Sequence, residues 1–446
     1  MTDSMVYCEM HAIGAGIAGR GLANLHPMGY LNWPAAQRLH SKHPAPTDPR
    51  HPLGGGGVSM RAQWVRDGQV MTTRVGIGLV GASGAFGRFI AEAVAEMGEG
   101  RIVAVAGRNK ARTERAAQAL GTDGTVRPYT DYQAFLGDPE VELVIISTPP
   151  AQHARMGIAA ARAGKAIFVE KPVATSVEDS RALLDAVREA GVAAGVDFVM
   201  RYNPLFNQIH RWTTEGVLGG LRRVDFQNFA ADESLPPDHW FWDRAQSGGI
   251  LIEHGVHFFD IYGYLIGAPA TEVRGWLTTR PGTDQQDKVL ADVYYQNGVL
   301  ASYYHAFDKP SRLERTTAML AYDRGYVTVD GWIAMALDVD AIVDDAGREA
   351  ILNSPYLVDH TLEPYEGGAR STRGNGQDYT VTCRVQATLQ LPGSKQEVYR
   401  TSVANALRDV VTLMRDPTHS LHVTLEDGAR AVDVACAATT NALVFS

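Results

Sequence analysis

Cysteine is scarce in this chain: Cys8, Cys383 and Cys436 are the only three among 446 residues, and none forms a CxxC pair. That excludes a disulfide framework and a cysteine-built zinc site, so no metal is expected. No apolar run approaches the ~18 residues that a membrane-spanning helix needs, so no membrane partner is expected either. Clusters of basic residues are also lacking. The formal net charge is -9, which argues against a nucleic-acid surface, because such surfaces neutralise phosphates with Lys and Arg. The opening Met1-Thr2-Asp3-Ser4 has neither the basic nor the apolar region of a secretory signal. What these absences leave is a cytoplasmic enzyme or binding protein, long enough for two or three domains.

The first stretch, residues 1–72, reads as a flexible N-terminal extension. It holds His-Pro, Ala-Pro and Asp-Pro steps and the run Gly54-Gly55-Gly56-Gly57, with little periodicity; such composition buries too little apolar surface to fold. Met71 would serve as a natural start for the folded part. The segment Gly14-Ala15-Gly16-Ile17-Ala18-Gly19 spells GxGxxG, but this motif has meaning only between a strand and a helix. Tyr7-Cys8-Glu9-Met10-His11 is a poor strand and Pro27 cuts the following helix short. This copy is expected to be idle.

From Val75 the pattern turns regular. Apolar strands at 75–80, 101–106, 141–147, 166–169 and 192–199 alternate with helical stretches through 89–94 and at 111–120, 152–163 and 177–190, the pattern of a parallel sheet covered on both faces. Residues 73–200 are therefore expected to form a Rossmann dinucleotide-binding domain of α/β class. After Arg201 the grammar changes. Residues 271–400 are mostly strand-like, with a hairpin signal at Gln296-Asn297-Gly298. Helices at 203–215, 256–266 and 426–443 flank them, so 201–446 reads as an α+β domain with a large, mainly antiparallel open-faced sheet.

Gly81-Ala82-Ser83-Gly84-Ala85-Phe86-Gly87 falls between the first strand and its helix. Glycines there permit a tight turn and close approach of backbone to a pyrophosphate, and the helix amino terminus offers free N–H groups to it. The spacing GxxGxxG departs from the commoner GxGxxG, with Ser83 at the middle glycine's place. About 20 residues on, an acid would hold the ribose of NAD and an Arg would suit the extra phosphate of NADP. Gly107-Arg108-Asn109-Lys110 carries no acid, so the cofactor is read as NADP or NAD, with Arg108 favouring NADP.

Further motifs point to a family. Thr148-Pro149-Pro150-Ala151-Gln152-His153 and then Ala163-Gly164-Lys165-Ala166-Ile167-Phe168-Val169-Glu170-Lys171-Pro172 are followed by Arg201-Tyr202-Asn203-Pro204 and by Gly248-Gly249-Ile250-Leu251-Ile252-Glu253-His254-Gly255-Val256-His257. In this order the chain resembles the glucose–fructose oxidoreductase, inositol dehydrogenase and rhizopine-catabolism (Gfo/Idh/MocA) family, from about Val75 to Ala442. The resemblance implies an NAD(P)-dependent dehydrogenase or reductase acting on CH–OH groups of a sugar, inositol or related polyol, and a homodimer or homotetramer. It also admits a redox-neutral member that retains its cofactor for glycoside cleavage or epimerisation, and a non-catalytic sensor.

The resemblance places Lys171 and His257 beside the nicotinamide. The chemistry agrees, since a His poised near neutrality can remove a hydroxyl proton while an ammonium steadies the oxygen. The family usually carries Asp four residues before that His, where this chain has Glu253. Helix spacing would put Glu253 on the face of His257, to orient it or bind a substrate hydroxyl. Thr148, Pro149, His153 and Glu170 are expected at the cofactor, and Arg201, Tyr202 and Asn203 at the substrate. His254 and Asp260 read as structural. Trp240, Phe241 and Trp242 suit either a sugar platform or the core, and Tyr294, Tyr295, Tyr303 and Tyr304 a half-exposed sheet or a pairing face.

Overall fold

Two sheets organise the chain. The computed structural model describes residues 74–121, 125–233 and 235–445; the extension 1–72, with its Gly14 motif, lies outside the described residues. The first sheet is made of β1 (Val75–Val80), β2 (Gly100–Ala106), β3 (Arg127–Tyr129), β4 (Leu143–Ile146), β5 (Ala166–Val169) and β6 (Ala194–Val196). Its order is β3-β2-β1-β4-β5-β6, and every pairing is parallel. The order reverses between β1 and β4, where open α/β sheets leave a crevice at their carboxyl ends. β1, β4 and β5 are buried along their whole length, as strands covered on both faces must be.

The helices between these strands are α1 (Ala85–Met97), α2 (Lys110–Leu120), α3 (Tyr132–Leu136), α4 (His153–Arg162) and α5 (Val177–Ala190). Their ends follow local chemistry. Ser176 caps α5 by accepting from the Asp179 N–H, and Gly191 closes it in a left-handed turn. That pair of signals is why the sequence bounds for α5 coincide with the observed ones.

Beyond them the chain continues through α6 (Pro204–Thr214), α7 (Arg244–Ser247), α8 (Val256–Ile266), α9 (Asp345–Leu352), α10 (Lys395–Arg415) and α11 (Leu425–Thr440). The second sheet contains β7 (Leu221–Ala231), β8 (Ala270–Thr279), β9 (Gln286–Tyr295), β10 (Leu300–Lys309), β11 (Arg315–Tyr322), β12 (Gly325–Asp330), β13 (Ala336–Val343), β14 (Leu357–Pro364), β17 (Cys383–Gln390) and β18 (Ala442–Phe445), while β15 (Arg370–Gly374) and β16 (Gln377–Val381) pair apart. It runs β14-β17-β13-β12-β11-β7-β10-β9-β8-β18, antiparallel except where β10 meets β7 and β18 meets β8. The hairpin at Asn297-Gly298 is present, joining β9 to β10.

Burial alternates along β9, β10 and β13, so one face packs and the other is more open. Helix α8 lies on the packed face: Phe258 stacks on Phe226 at 4.0 Å and Phe259 meets Tyr303 at 4.8 Å. The tyrosines divide by this alternation. Tyr295 and Tyr303 are interior and hydrogen-bond through their hydroxyls at 3.1 Å, whereas Tyr294 is exposed and Tyr304 half-buried.

Two segments differ from the sequence reading. The helix expected at 426–443 stops at Thr440, and 442–445 instead add strand β18 beside β8. Helix α10 begins inside the stretch expected to be strand-like, 271–400, and runs beyond it into residues given no element. It packs on α1 of the first sheet: Tyr399 meets Phe89 at 4.6 Å, Arg400 pairs with Glu96 and Arg408 with Glu99. The last part of the chain thus braces the parallel sheet as well as its own.

Candidate active site

The turn after β1 is shaped by two glycines. Gly81 adopts φ +89°, and a Cβ there would fall 1.8 Å from the Ser147 carbonyl oxygen at the end of β4. A Cβ on Gly87 would come within 2.7 Å of Ala82 and of the Gly81 carbonyl. Both positions bring backbone against backbone, which a side chain would prevent. Gly84 then begins α1 with no side-chain cap and no acidic residue in the first turn. The resulting concave turn, with uncapped N–H groups at a helix start, fits a dinucleotide pyrophosphate. Ser83 and Phe86 flank it, half-buried. Thr148 and Pro149 follow β4 across the same crevice.

At the end of β2, Arg108 is exposed, and Asn109 caps α2 by accepting from the Arg112 N–H. No carboxylate stands in Gly107-Arg108-Asn109.

Lys171 follows β5 at the carboxyl edge. Its Nζ donates to Glu253 Oε1 at 2.9 Å and to the Glu253 carbonyl at 3.0 Å. Glu253 lies in a π-helical turn, Leu251–Gly255, that leads into α8. A π turn widens the helical period, so residues four apart no longer stack. This corrects the expected Glu253–His257 pairing: the carboxylate turns to Lys171, and His257 Nδ1 is buried with no hydrogen-bond partner. His257 stands in the first turn of α8, between Phe198 and Trp332. Burial first, then the charge of Lys171, pushes its pKa well below the ordinary value. The ring is therefore neutral at pH 7 with its lone pair free, and less basic than the His poised near neutrality that the sequence led one to expect.

Two groups not singled out in the sequence adjoin this pair. Asp197, just past β6, faces Glu170, just past β5, and each has a buried carboxyl oxygen without a hydrogen-bond partner. Burial raises both carboxyl pKa values, Asp197 to about 6, and the charge of Asp197 raises Glu170 further. One proton shared between two buried carboxyls is the stable state near neutrality. His305 of β10 is fully interior with neither ring nitrogen partnered, and burial lowers its pKa to about 3. His254 lies between His257 and His305, also held neutral by burial. A lone Asp after an apolar strand was the signal for Asp197; His305 had only its inward register.

Several expected substrate and cofactor contacts have other duties. The Arg201 guanidinium bonds Asp260 and Asp427 in the interior through Nε and Nη2 and lies over Tyr264. Tyr202 donates to Asp409. Asn203 caps α6 and donates to the Ala334 carbonyl. His153 is clamped between the Thr148 and Pro172 carbonyls at 2.6 and 2.7 Å, so it shapes the crevice from beneath. Phe241 and Trp242 pack on Phe307, and the Trp242 N–H goes to the Leu235 carbonyl; these two are core, and Trp240 is half-buried beside them. Among the described residues no His, Cys, Asp and Glu cluster is placed to hold a metal, and no helix is long and apolar enough to cross a membrane.

The two domains of this chain are found in known proteins. Residues 75–198 match the GFO/IDH/MocA oxidoreductase family model with its NAD-binding Rossmann fold, and residues 206–327 match the family's C-terminal domain. The scyllo-inositol 2-dehydrogenase (NAD(+)) of Bacillus subtilis is 34% identical over 203 residues, covering 44% of this chain and 57% of its own length. The 1,5-anhydro-D-fructose reductase of Ensifer adhaerens is 31% identical over 235 residues, covering 52% and 68%. The chain thus spans little more than half to two thirds of these relatives. A levoglucosan dehydrogenase solved with NADH and levoglucosan superposes with a TM-score of 0.65 at 22% identity, over 83% of this chain and 97% of that one, a likeness of fold. By its matched domains and their order, the chain belongs to the Gfo/Idh/MocA family of oxidoreductases.

Proposed function

We propose that the chain is an NAD(P)-dependent dehydrogenase or reductase that moves a hydride between the nicotinamide and a secondary alcohol or ketone of a sugar, inositol or related polyol. The observation that carries this reading is the meeting of Lys171, Glu253 and His257 at the carboxyl edge of the parallel sheet whose β1 turn forms the pyrophosphate cradle. When bound, the nicotinamide supplies the hydride acceptor or donor. His257, neutral and beside Lys171, takes the hydroxyl proton as the carbon loses hydride, and returns it in the other direction. The Lys171 ammonium hydrogen-bonds the reacting oxygen and stabilises its negative charge. Glu253 holds Lys171 in place through the ion pair. Two buried walls, the aromatic rings beside His257 and the Glu170–Asp197 pair, keep water from the reacting centre.

For the cofactor we favour NADP, because Arg108 follows β2 with no acid in Gly107-Arg108-Asn109; the Bacillus subtilis relative is named for NAD(+). A panel of polyols, including scyllo-inositol and levoglucosan, followed by nicotinamide absorbance with NAD and NADP in turn, tests both points. Turnover of at least one polyol is expected, faster with NADP. No nicotinamide binding by calorimetry would remove the reading altogether.

A further inference from the structure

Trp332 sits in the turn between β12 and β13, 8% exposed. Its indole is 5.9 Å from the His257 ring and 5.0 Å from Tyr399, with the Lys395 ammonium 5.3 Å over it. Tyr399 in turn contacts Phe86 and Phe89 of α1, so this one tryptophan links His257 to the helix of the glycine turn. The turn itself is tied down where the Ala334 carbonyl accepts from Asn203.

What marks Trp332 is its N–H. Two other interior tryptophans have acceptors: Trp212 donates to the Ala350 carbonyl at 3.2 Å and Trp242 to the Leu235 carbonyl at 3.1 Å. Trp332 Nε1 is buried with no hydrogen-bond partner. A buried donor left unpaired is costly, so such a group persists where something supplies its acceptor. Here the group next to it is His257, whose Nδ1 is also unpaired.

We propose that Trp332 is a substrate-specificity residue: its indole N–H donates to an oxygen of a cyclic polyol other than the oxygen that reacts at His257. The inference rests on the polyol-oxidoreductase reading and narrows it. A substrate must carry a second oxygen near the reacting carbon; a mono-alcohol leaves the indole unpaired. Sites with a buried donor discriminate strongly against analogues that lack its acceptor.

The test compares wild type with Trp332→Phe, which keeps a ring of similar shape and deletes the donor. Two readouts are taken: kcat and KM for scyllo-inositol, levoglucosan and cyclohexanol, and equilibrium binding of the two polyols to the protein saturated with NADH or NADPH. Expected is a fall of about tenfold to a hundredfold in the preference for polyol over cyclohexanol, carried mainly by KM, with a matching loss in polyol binding. An equal loss for all three alcohols would show a packing role and overturn the inference. So would an unchanged preference, or failure of wild type to bind either polyol. If wild type binds a polyol, Trp332→Phe weakens that binding and neither protein turns it over, the inference stands and the dehydrogenase reading falls.

Discussion

The two sheets of this molecule do their work by different means. The parallel sheet presents backbone: Gly81 and Gly87 press main chain against main chain, and α1 offers uncapped N–H groups. The mixed sheet, with the helix packed on it, presents side chains: His257, His254, His305 and Trp332 all come from this second layer. Backbone recognition suits a cofactor that many enzymes share, whereas side chains can be exchanged to suit a substrate. Lys171 follows β5 of the first sheet and reaches Glu253 in the π turn before α8, so the ion pair is the seam between the two modes.

Breaking the seam has the largest expected effect. Lys171→Ala should lower kcat by roughly 10²–10⁴-fold, the range for a lost acid–base or oxyanion partner. It also strands Glu253 as a buried charge, which costs about 3–5 kcal/mol. Adding Glu253→Gln should restore the melting temperature without restoring turnover. Recovery of both would make the pair structural alone.

Next is the backbone side. Gly81→Ala puts a Cβ into the Ser147 carbonyl at a φ that L residues avoid, for an expected loss of about 3 kcal/mol or more. Nucleotide binding should fall with it, while Gly14→Ala should leave both unchanged. Denaturant melts and NADH titration decide the point.

The side-chain sheet carries its own signature in pH. His254, His257 and His305 have folded pKa values depressed by burial. Their contribution to stability is therefore full above the unfolded value of 6.5 and is lost as pH falls from there toward about 3, the His305 value. Each such His steepens the loss by about 1.4 kcal/mol per pH unit. His305→Leu should flatten the acid limb by about one such increment, measured by urea melts across pH 7 to 5. An unaltered limb would mean that His305 is not the neutral interior group described above.

Arg108→Ser should have the smallest effect, a shift of about tenfold from NADP toward NAD with no change in melting. Ratios of kcat/KM for the two cofactors report it directly.

Much of this was readable because it is local. A buried strand, a glycine turn and an amphipathic helix within residues 75–97 depend on neighbours in sequence, as do the caps that bound 177–190. Helix α10 had its local mark too, the capping box of Ser394 and Glu397, but that mark fell at the end of the strand-like stretch 271–400 and the residues after it were given no element. The interior bonds of Arg201 and Asn203 were not legible because motif position says nothing about where a guanidinium or amide is already bonded; Asn203 before Pro204 was a helix-start signal. The π turn at Leu251–Gly255 redirected Glu253 in a way that a 3.6-residue period cannot express. Asp197, His305 and Trp332 needed three dimensions, because each meets its neighbours only through elements distant in the chain.

The division of labour between the sheets is tested most directly by His257→Ala. NADH and NADPH affinities and polyol turnover should be measured on one preparation. The expected result is wild-type nucleotide affinity, fixed by the Gly81 turn, with turnover reduced at least a hundredfold. Undiminished turnover, or nucleotide affinity lost in step with it, would contradict the account.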